Sequence, residues 1–229
     1  NNTNYESIIR NRHPYDTLSV VMPTLAGGLG NQMFEIATAA SLAKDNNAVL
    51  LINPTEHILP NQGSNVNVYL SNIFSRIVCD ENLSIQNVFS WDSSLYKPIS
   101  YSPNLKLSGH FQSWKYFDHN REYIQKLFSP TEDMKDRIYK KYNFDFSTIV
   151  GVQIRRGDYV KFPDHHPLVP VSYFQETMKQ FSGKKFMLFT DDVDWCINNL
   201  DFDSFLIPDE TDYMELYLMT LCSSLIISN

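Results

Sequence analysis

No stretch of the sequence reaches the roughly 20 consecutive apolar residues that a membrane-spanning helix needs. Basic charge is also in deficit. Nineteen Lys and Arg face 26 Asp and Glu, a net charge of -7, which argues against a nucleic-acid backbone as partner. There are only three cysteines, Cys79, Cys196 and Cys222, and they are far apart. Their odd number and wide spacing suit neither a disulfide framework nor a metal knuckle, and they read as small apolar residues in a reducing, cytoplasmic compartment. Repeats and low-complexity tracts are missing, and no signal peptide is visible. The first residue is Asn1 rather than Met, which leaves room for an upstream segment. Asn1-Asn2-Thr3 and Asn82-Leu83-Ser84 are formal glycosylation triplets of a kind common in an Asn-rich chain.

What is present is a regular alternation of strand and helix signals. Residues 18–25 (LSVVMPTL) predict a strand, AGGLGNQ a turn, and MFEIATAASLAKDN a helix with Phe34, Ala37, Ala40 and Ala43 at helical spacing. AVLLINP (48–54) is the next strand, which completes a βαβ unit. Residues 55–108 hold short strand-like pieces between Asn, Ser and Pro clusters. LKLSGHFQSW (105–114) begins as a strand and leads into a helix near 115–128. A further helix over 131–142 has Thr131 to cap it and Met134, Ile138 and Tyr142 on one face.

Beyond residue 149 the pattern is cleaner. IVGVQI (149–154), KFMLFT (185–190), SFLIP (204–208) and SLIISN (224–229) predict strands. Ser172 with Gln175, and Asp212 with Glu215, read as capping boxes for helices over 173–181 and from 212 to about 222. Asp191 or Asp192 caps a short helix. The expected fold is α/β: mainly parallel, doubly wound sheets in two Rossmann-like halves facing a cleft, with ligands at the carboxyl ends of strands. The expected division is a polar arm over 1–17, a first half over 18–130 and a second over 131–229.

Three short motifs carry chemistry. Glycine is scarce, eight in all, yet three fall at 27, 28 and 30. At a strand-to-helix turn, Gly28 and Gly30 let a ligand approach the backbone and the helix N–H groups, while Asn31 and Gln32 offer amides to a polar ligand. The spacing is neither the dinucleotide pattern nor a P-loop. In RRGDY, Arg155 and Arg156 close an apolar strand. A guanidinium presents a planar fork of donors suited to phosphate. Neighbouring strand residues point to opposite faces, so both arginines reach one ligand atom only if the strand ends between them; otherwise one grips a phosphate and the other pairs with a carboxylate or lies nearby as a scaffold. Asp158 can orient an arginine. In FTDDVDWC, Asp192 and Asp194 form a D-x-D pattern able to hold Mg²⁺ or Mn²⁺, but acids are also enriched at helix starts.

As a set, GGLGNQMFEIATAASLA, GHFQSWKYF, RRGDYV, FTDDVDWC and DYMELYLMTLCSSLIISN resemble the inverting α-1,2-fucosyltransferases of glycosyltransferase family 11, over residues 20 to 229. The resemblance implies a GT-B fold, GDP-β-L-fucose as donor substrate, a galactose-terminated acceptor, no metal and no cofactor. Arg155, Arg156 and Asp158 match a His-x-Arg-Arg-x-Asp pattern at the diphosphate. Asn31 matches an asparagine facing the reacting sugar, and Asp191 and Asp192 would face the guanine or cap the helix. Gln153 stands where the family keeps histidine and cannot carry its charge. Family members continue past IISN into a Ser/Thr-rich loop that helps hold the diphosphate. Ser228 and Asn229 lie where that loop begins and count as donor-side residues, and the chain reads as incomplete at its C-terminal end.

The chemistry implied is one displacement at fucose C1 with inversion, the arginines meeting charge that grows on the departing GDP. A carboxylate beside arginine has a lowered pKa and makes a poor base, so Asp158 is expected to orient rather than deprotonate. Glu35 lies on the same turn as Asn31 but can equally face the core, so the base is left unassigned. Two other readings compete: a metal-dependent GT-A transferase using Asp192 and Asp194, and a non-catalytic sugar- or nucleotide-binding remnant.

Overall fold

The structure, a computed structural model, describes residues 19–56, 58, 65–91, 93, 95–157, 159–164, 166–201 and 205–228. Two compact units divide between Thr131 and Glu132. The expected arm over 1–17 lies outside the described residues.

Unit 1 is built on five parallel strands, β1 (Val20–Pro23), β2 (Val49–Ile52), β3 (Val78–Cys79), β4 (Val88–Ser90) and β5 (Leu105–Ser108), in the order β3-β2-β1-β5-β4. Helix α1 (Leu29–Asp45) joins β1 to β2. Its alanines explain its place: Ala37, Ala39, Ala40 and Ala43 are buried with Ile36, so a helix with almost no side-chain bulk lies close against the sheet. The helix starts four residues before the expected Met33, because Gly28 is already extended and the chain winds from Leu29. Gly30 and Asn31 therefore belong to its first turn. The expected helix near 115–128 is two short 3-10 turns, at Trp114–Tyr116 and Asp118–Asn120, followed by α2 (Arg121–Leu127).

Unit 2 has three parallel strands, β6 (Ile149–Ile154), β7 (Lys185–Thr190) and β8 (Ser224–Ile227), in the order β7-β6-β8. Leu206 extends the sheet past β7 by one bridge to Met187, where the sequence suggests a whole strand over 204–208. Strand alternation sorts the core onto two faces. Ile149, Met187 and Phe189 pack with α3 (Glu132–Lys141) and α6 (Asp212–Leu221). Val150, Val152, Ile154, Phe186 and Leu188 pack with α4 (Val171–Lys179) and α5 (Val193–Asn199). Met134, Ile138 and Tyr142 are buried together, as their spacing predicts.

The capping boxes are misread. Pro170 is the N-cap of α4, its fixed φ starting the helix at Val171, so Ser172 is already inside and the Gln175 amide donates to the Asn199 carbonyl. Thr211, not Asp212, is the N-cap of α6. The three cysteines form no disulfide, and among the described residues no helix is long and apolar enough to cross a membrane.

Across each sheet the strand order breaks once, as a jump from β1 to β5 in unit 1 and as a reversal between β6 and β8 in unit 2. Such breaks open a crevice at the carboxyl ends of the two strands. The sequence motifs fall at these two places.

Candidate functional site

In unit 2, β6 stops at Ile154, so Arg155 and Arg156 both lie past the strand and its alternation no longer separates them. Their backbone is held from two sides. The Arg155 N–H donates to the Ser228 hydroxyl at the end of β8 (3.1 Å), and the Arg156 N–H donates to Asp191 Oδ1 after β7 (2.8 Å). Arg155 lies over the Tyr159 ring (5.2 Å to its centroid). Arg156 is more enclosed: its Nε donates to Asp192 Oδ2 (3.0 Å) and its guanidinium carbon sits 3.6 Å from the centroid of the Trp195 ring. With one face on an indole and one edge on a carboxylate, the remaining N–H edge of Arg156 is fixed in direction before any ligand arrives. Both arginines, Trp195 and Ser228 line one depression with Leu168 and Val169.

The two aspartates are engaged by the protein itself. Asp192 is the N-cap of α5, its Oδ1 accepting from the Trp195 N–H (3.2 Å) while its Oδ2 holds Arg156. Both oxygens of the first residue of D-x-D are thereby committed. Asp191 sits against Gly157, where a Cβ would come within 2.6 Å of its Oδ2. Among the described residues no group of three or more His, Cys, Asp or Glu is placed to hold a metal ion.

Gln153 does not stand alone. Its Oε1 accepts from the Ser228 hydroxyl (3.0 Å) and N–H (3.3 Å), and its carbonyl also accepts from that N–H (3.0 Å). A relay results: Gln153 orients the Ser228 hydroxyl, which orients the Arg155 backbone. Asp158 and Asn229, both expected at this site, lie outside the described residues.

Unit 1 brings together Gly28, Gly30 and Asn31 at the start of α1. Open space lies where a Cβ would stand on Gly28 or Gly30. The turn itself needs glycine at 27, whose φ is +73° and whose Cβ would come within 2.2 Å of the Asn31 amide. Asn31 Oδ1 accepts from the Gln112 amide (2.8 Å), in the segment that follows β5.

Beside them is a pair that sequence reading misses. Glu35 is buried, its side chain 1% exposed, with Oε2 accepting from the Ala26 N–H (2.9 Å) and Oε1 against His110 Nδ1 (2.9 Å). Burial pushes the Glu35 carboxyl up to about 9, the Ala26 N–H pulling weakly the other way. Near neutral pH the pair therefore keeps a proton between Oε1 and Nδ1. The His110 side chain is 41% exposed. His110 lies two residues past β5, and that position at a strand end was the available signal. The contact spans 75 residues, which no local pattern reveals. Trp195 lies within the FTDDVDWC motif, whose acidic residues carry its sequence signal.

Two parallel α/β sheets, each with polar side chains gathered at the carboxyl ends of its strands, give the chain a GT-B-like fold of Rossmann type. The match to a family model places it further: the chain belongs to glycosyl transferase family 11, matched over residues 5–229. It is similar to galactoside alpha-(1,2)-fucosyltransferase 1 of Aotus azarae, 29% identical over 192 residues, covering 76% of this chain and 51% of the relative. An alpha-1,2-colitosyltransferase of Escherichia coli is 24% identical over 245 residues, covering 93% and 84%. The chain thus spans about half the length of the galactoside transferases it matches. Among solved structures, NodZ alpha-1,6-fucosyltransferase soaked with GDP-fucose superposes with a TM-score of 0.61 at 15% identity, covering 92% of this chain and 88% of that one. NodZ co-crystallized with GDP gives 0.60. At this identity the likeness is one of fold.

Proposed function

We propose that the protein transfers L-fucose from GDP-β-L-fucose to the 2-hydroxyl of a galactose-terminated acceptor, with inversion and without a metal. The family supports a glycosyl transfer, and the galactoside relatives' α-1,2 linkage supports the acceptor hydroxyl. The observation that carries the reading is the edge of β6. Two arginines leave the strand together, one pre-set by Trp195 and Asp192, at the point where the strand order reverses.

The costly feature of the reaction is negative charge on the leaving diphosphate. Fixed donors aimed at that charge lower the barrier by several kcal/mol where water is scarce. Arg155 and Arg156 supply them in this reading, and Asp192 holds Arg156 rather than a cation. Gln153, Asp191 and Ser228 serve the donor side by holding the backbone of the arginine segment. Asp158 and Asn229 keep their expected donor-side places. Gly28, Gly30 and Asn31 present the start of α1 to the sugars.

The test is transfer from GDP-fucose to lactose by the full-length protein, with EDTA present and the new linkage read by NMR. An α-1,2-linked fucosyl product is expected. Activity restored only by added Mn²⁺ would instead favour the D-x-D reading. GDP binding by calorimetry without transfer of any sugar would mark a remnant.

A further inference from the structure

A displacement at fucose C1 releases the proton of the attacking hydroxyl, and unit 1 holds a carboxyl–imidazole pair of the chemistry that takes one. Glu35 and His110 meet past the carboxyl ends of the neighbouring strands β1 and β5, beside Asn31 and Gln112. The buried Glu35 carboxyl is held at both oxygens, by the Ala26 N–H and by an imidazole whose side chain is 41% exposed. Carboxylate and partly exposed imidazole form the arrangement by which a histidine is kept in the tautomer able to accept a proton.

We infer that His110 is the catalytic base of the transfer and Glu35 its positioning residue, an assignment that rests on the fucosyl-transfer reading above. In the step, the acceptor O–H proton passes to His110 Nε2 as the acceptor oxygen bonds to fucose C1. The bond from C1 to the phosphate oxygen breaks, and its electron pair leaves with GDP. The imidazolium so formed donates from Nδ1 to the Glu35 carboxylate and returns the extra proton to water after release. The competent form needs Nδ1 protonated, Nε2 bare and Glu35 ionised. Burial of Glu35 makes that form grow toward alkaline pH. The other charged groups on the packing elements are engaged elsewhere. Lys106 of β5 pairs with Glu56, and Asp45 at the far end of α1 pairs with His119.

The experiment measures kcat, KM for GDP-fucose and GDP affinity across pH 5.5–9.5 for the full-length wild type, Glu35→Gln and His110→Ala. The wild-type kcat should rise toward alkaline pH. His110→Ala should lose about 10²- to 10⁴-fold in kcat and the rise with it. Glu35→Gln should lose less and move its inflection to lower pH, because the remaining imidazole no longer shares a proton with a buried carboxyl. KM and GDP affinity should stay within about twofold in both. If the wild type transfers fucose while both variants keep its profile and a kcat within about threefold, the base assignment is overturned and the transfer reading stands. If the wild type binds GDP but transfers nothing, the transfer reading fails and takes the base with it. Should a variant not fold, ¹⁵N NMR of the wild-type histidines decides. Above about pH 9, where the Glu35 carboxyl is ionised, an Nδ1–H tautomer at His110 supports the assignment and an Nε2–H tautomer rejects it.

Discussion

Each unit buries a glutamate, and the two behave in opposite ways. The Glu35 side chain in unit 1 and the Glu210 side chain in unit 2 are 1% and 0% exposed. Glu35 faces one backbone N–H and one imidazole, and burial raises its pKa. Burial pushes Glu210 up as well, but it accepts from Lys141 (2.7 Å), Arg137 (2.7 Å) and the Tyr142 hydroxyl (3.1 Å), and together these hold it below the usual range. The same carboxyl is a proton store in one place and a fixed anion in the other. Burial alone decides neither; the count of full positive charges within reach does.

The comparison is broken most severely at Arg156. Arg156→Ala removes a largely enclosed cation, its side chain 15% exposed, and should cost roughly 2–5 kcal/mol in transition-state stabilisation, read as kcat/KM. Unit 1 should be untouched, so the pH at which kcat rises should not move. A variant with near-normal kcat/KM would remove Arg156 from the diphosphate. Asp192→Ala should be milder. It deletes both the cap of α5 and the anchor of Arg156, lowering stability by about 1–2 kcal/mol in denaturant melts and weakening GDP binding in calorimetry.

A third test sets the glutamates against each other through pH. Glu35 has a raised folded pKa, so its contribution to stability is fully present below about 4.5 and is lost as pH climbs toward about 9. The wild type should therefore lose stability relative to Glu35→Gln across pH 5–9. Glu210 has a lowered folded pKa, so its contribution is present above the ordinary glutamate range and lost as acid protonates it. The wild type should lose its advantage over Glu210→Gln only below about pH 4.5. Parallel curves for the two variants would erase the distinction. The smallest expected effect is at Gly30→Ala. Open space at its Cβ and a place in the first turn of α1 predict a gain of about 0.5–1 kcal/mol. Greater stability with reduced transfer would place Gly30 against substrate, and greater stability with unchanged transfer would clear it.

Much of the fold was legible because burial repeats with the periods of strand and helix. β6, β7, α3 and the βαβ unit of β1, α1 and β2 declare themselves by such repeats. So does the placing of both motifs at strand ends. Helix starts were not, because Ser172 with Gln175, and Asp212 with Glu215, satisfy the capping pattern one or two residues inside helices that Pro170 and Thr211 begin. A pattern of residue types cannot tell a cap from a first turn when two eligible residues sit together. The arginine pair was legible as a demand for an anion, but its supports were not. Trp195, Asp191 and Ser228 reach it across 35 to 73 residues, and Glu35 meets His110 across 75. Sequence spacing carries helices and strands, whereas sites are made where distant strands finish side by side.

The relay from Gln153 through Ser228 to Arg155 turns that last point into a matter of timing. Its three residues sit on β6 and at the end of β8, and the hydroxyl finds both partners only in the register that sets Gln153 beside Ile227. A slip of one residue would turn the Ser228 side chain to the other face. The arginine segment thus cannot be finished by β6 alone. It is completed when β8 docks in register, so a chain caught midway through folding would carry both arginines yet lack the fixed backbone they project from.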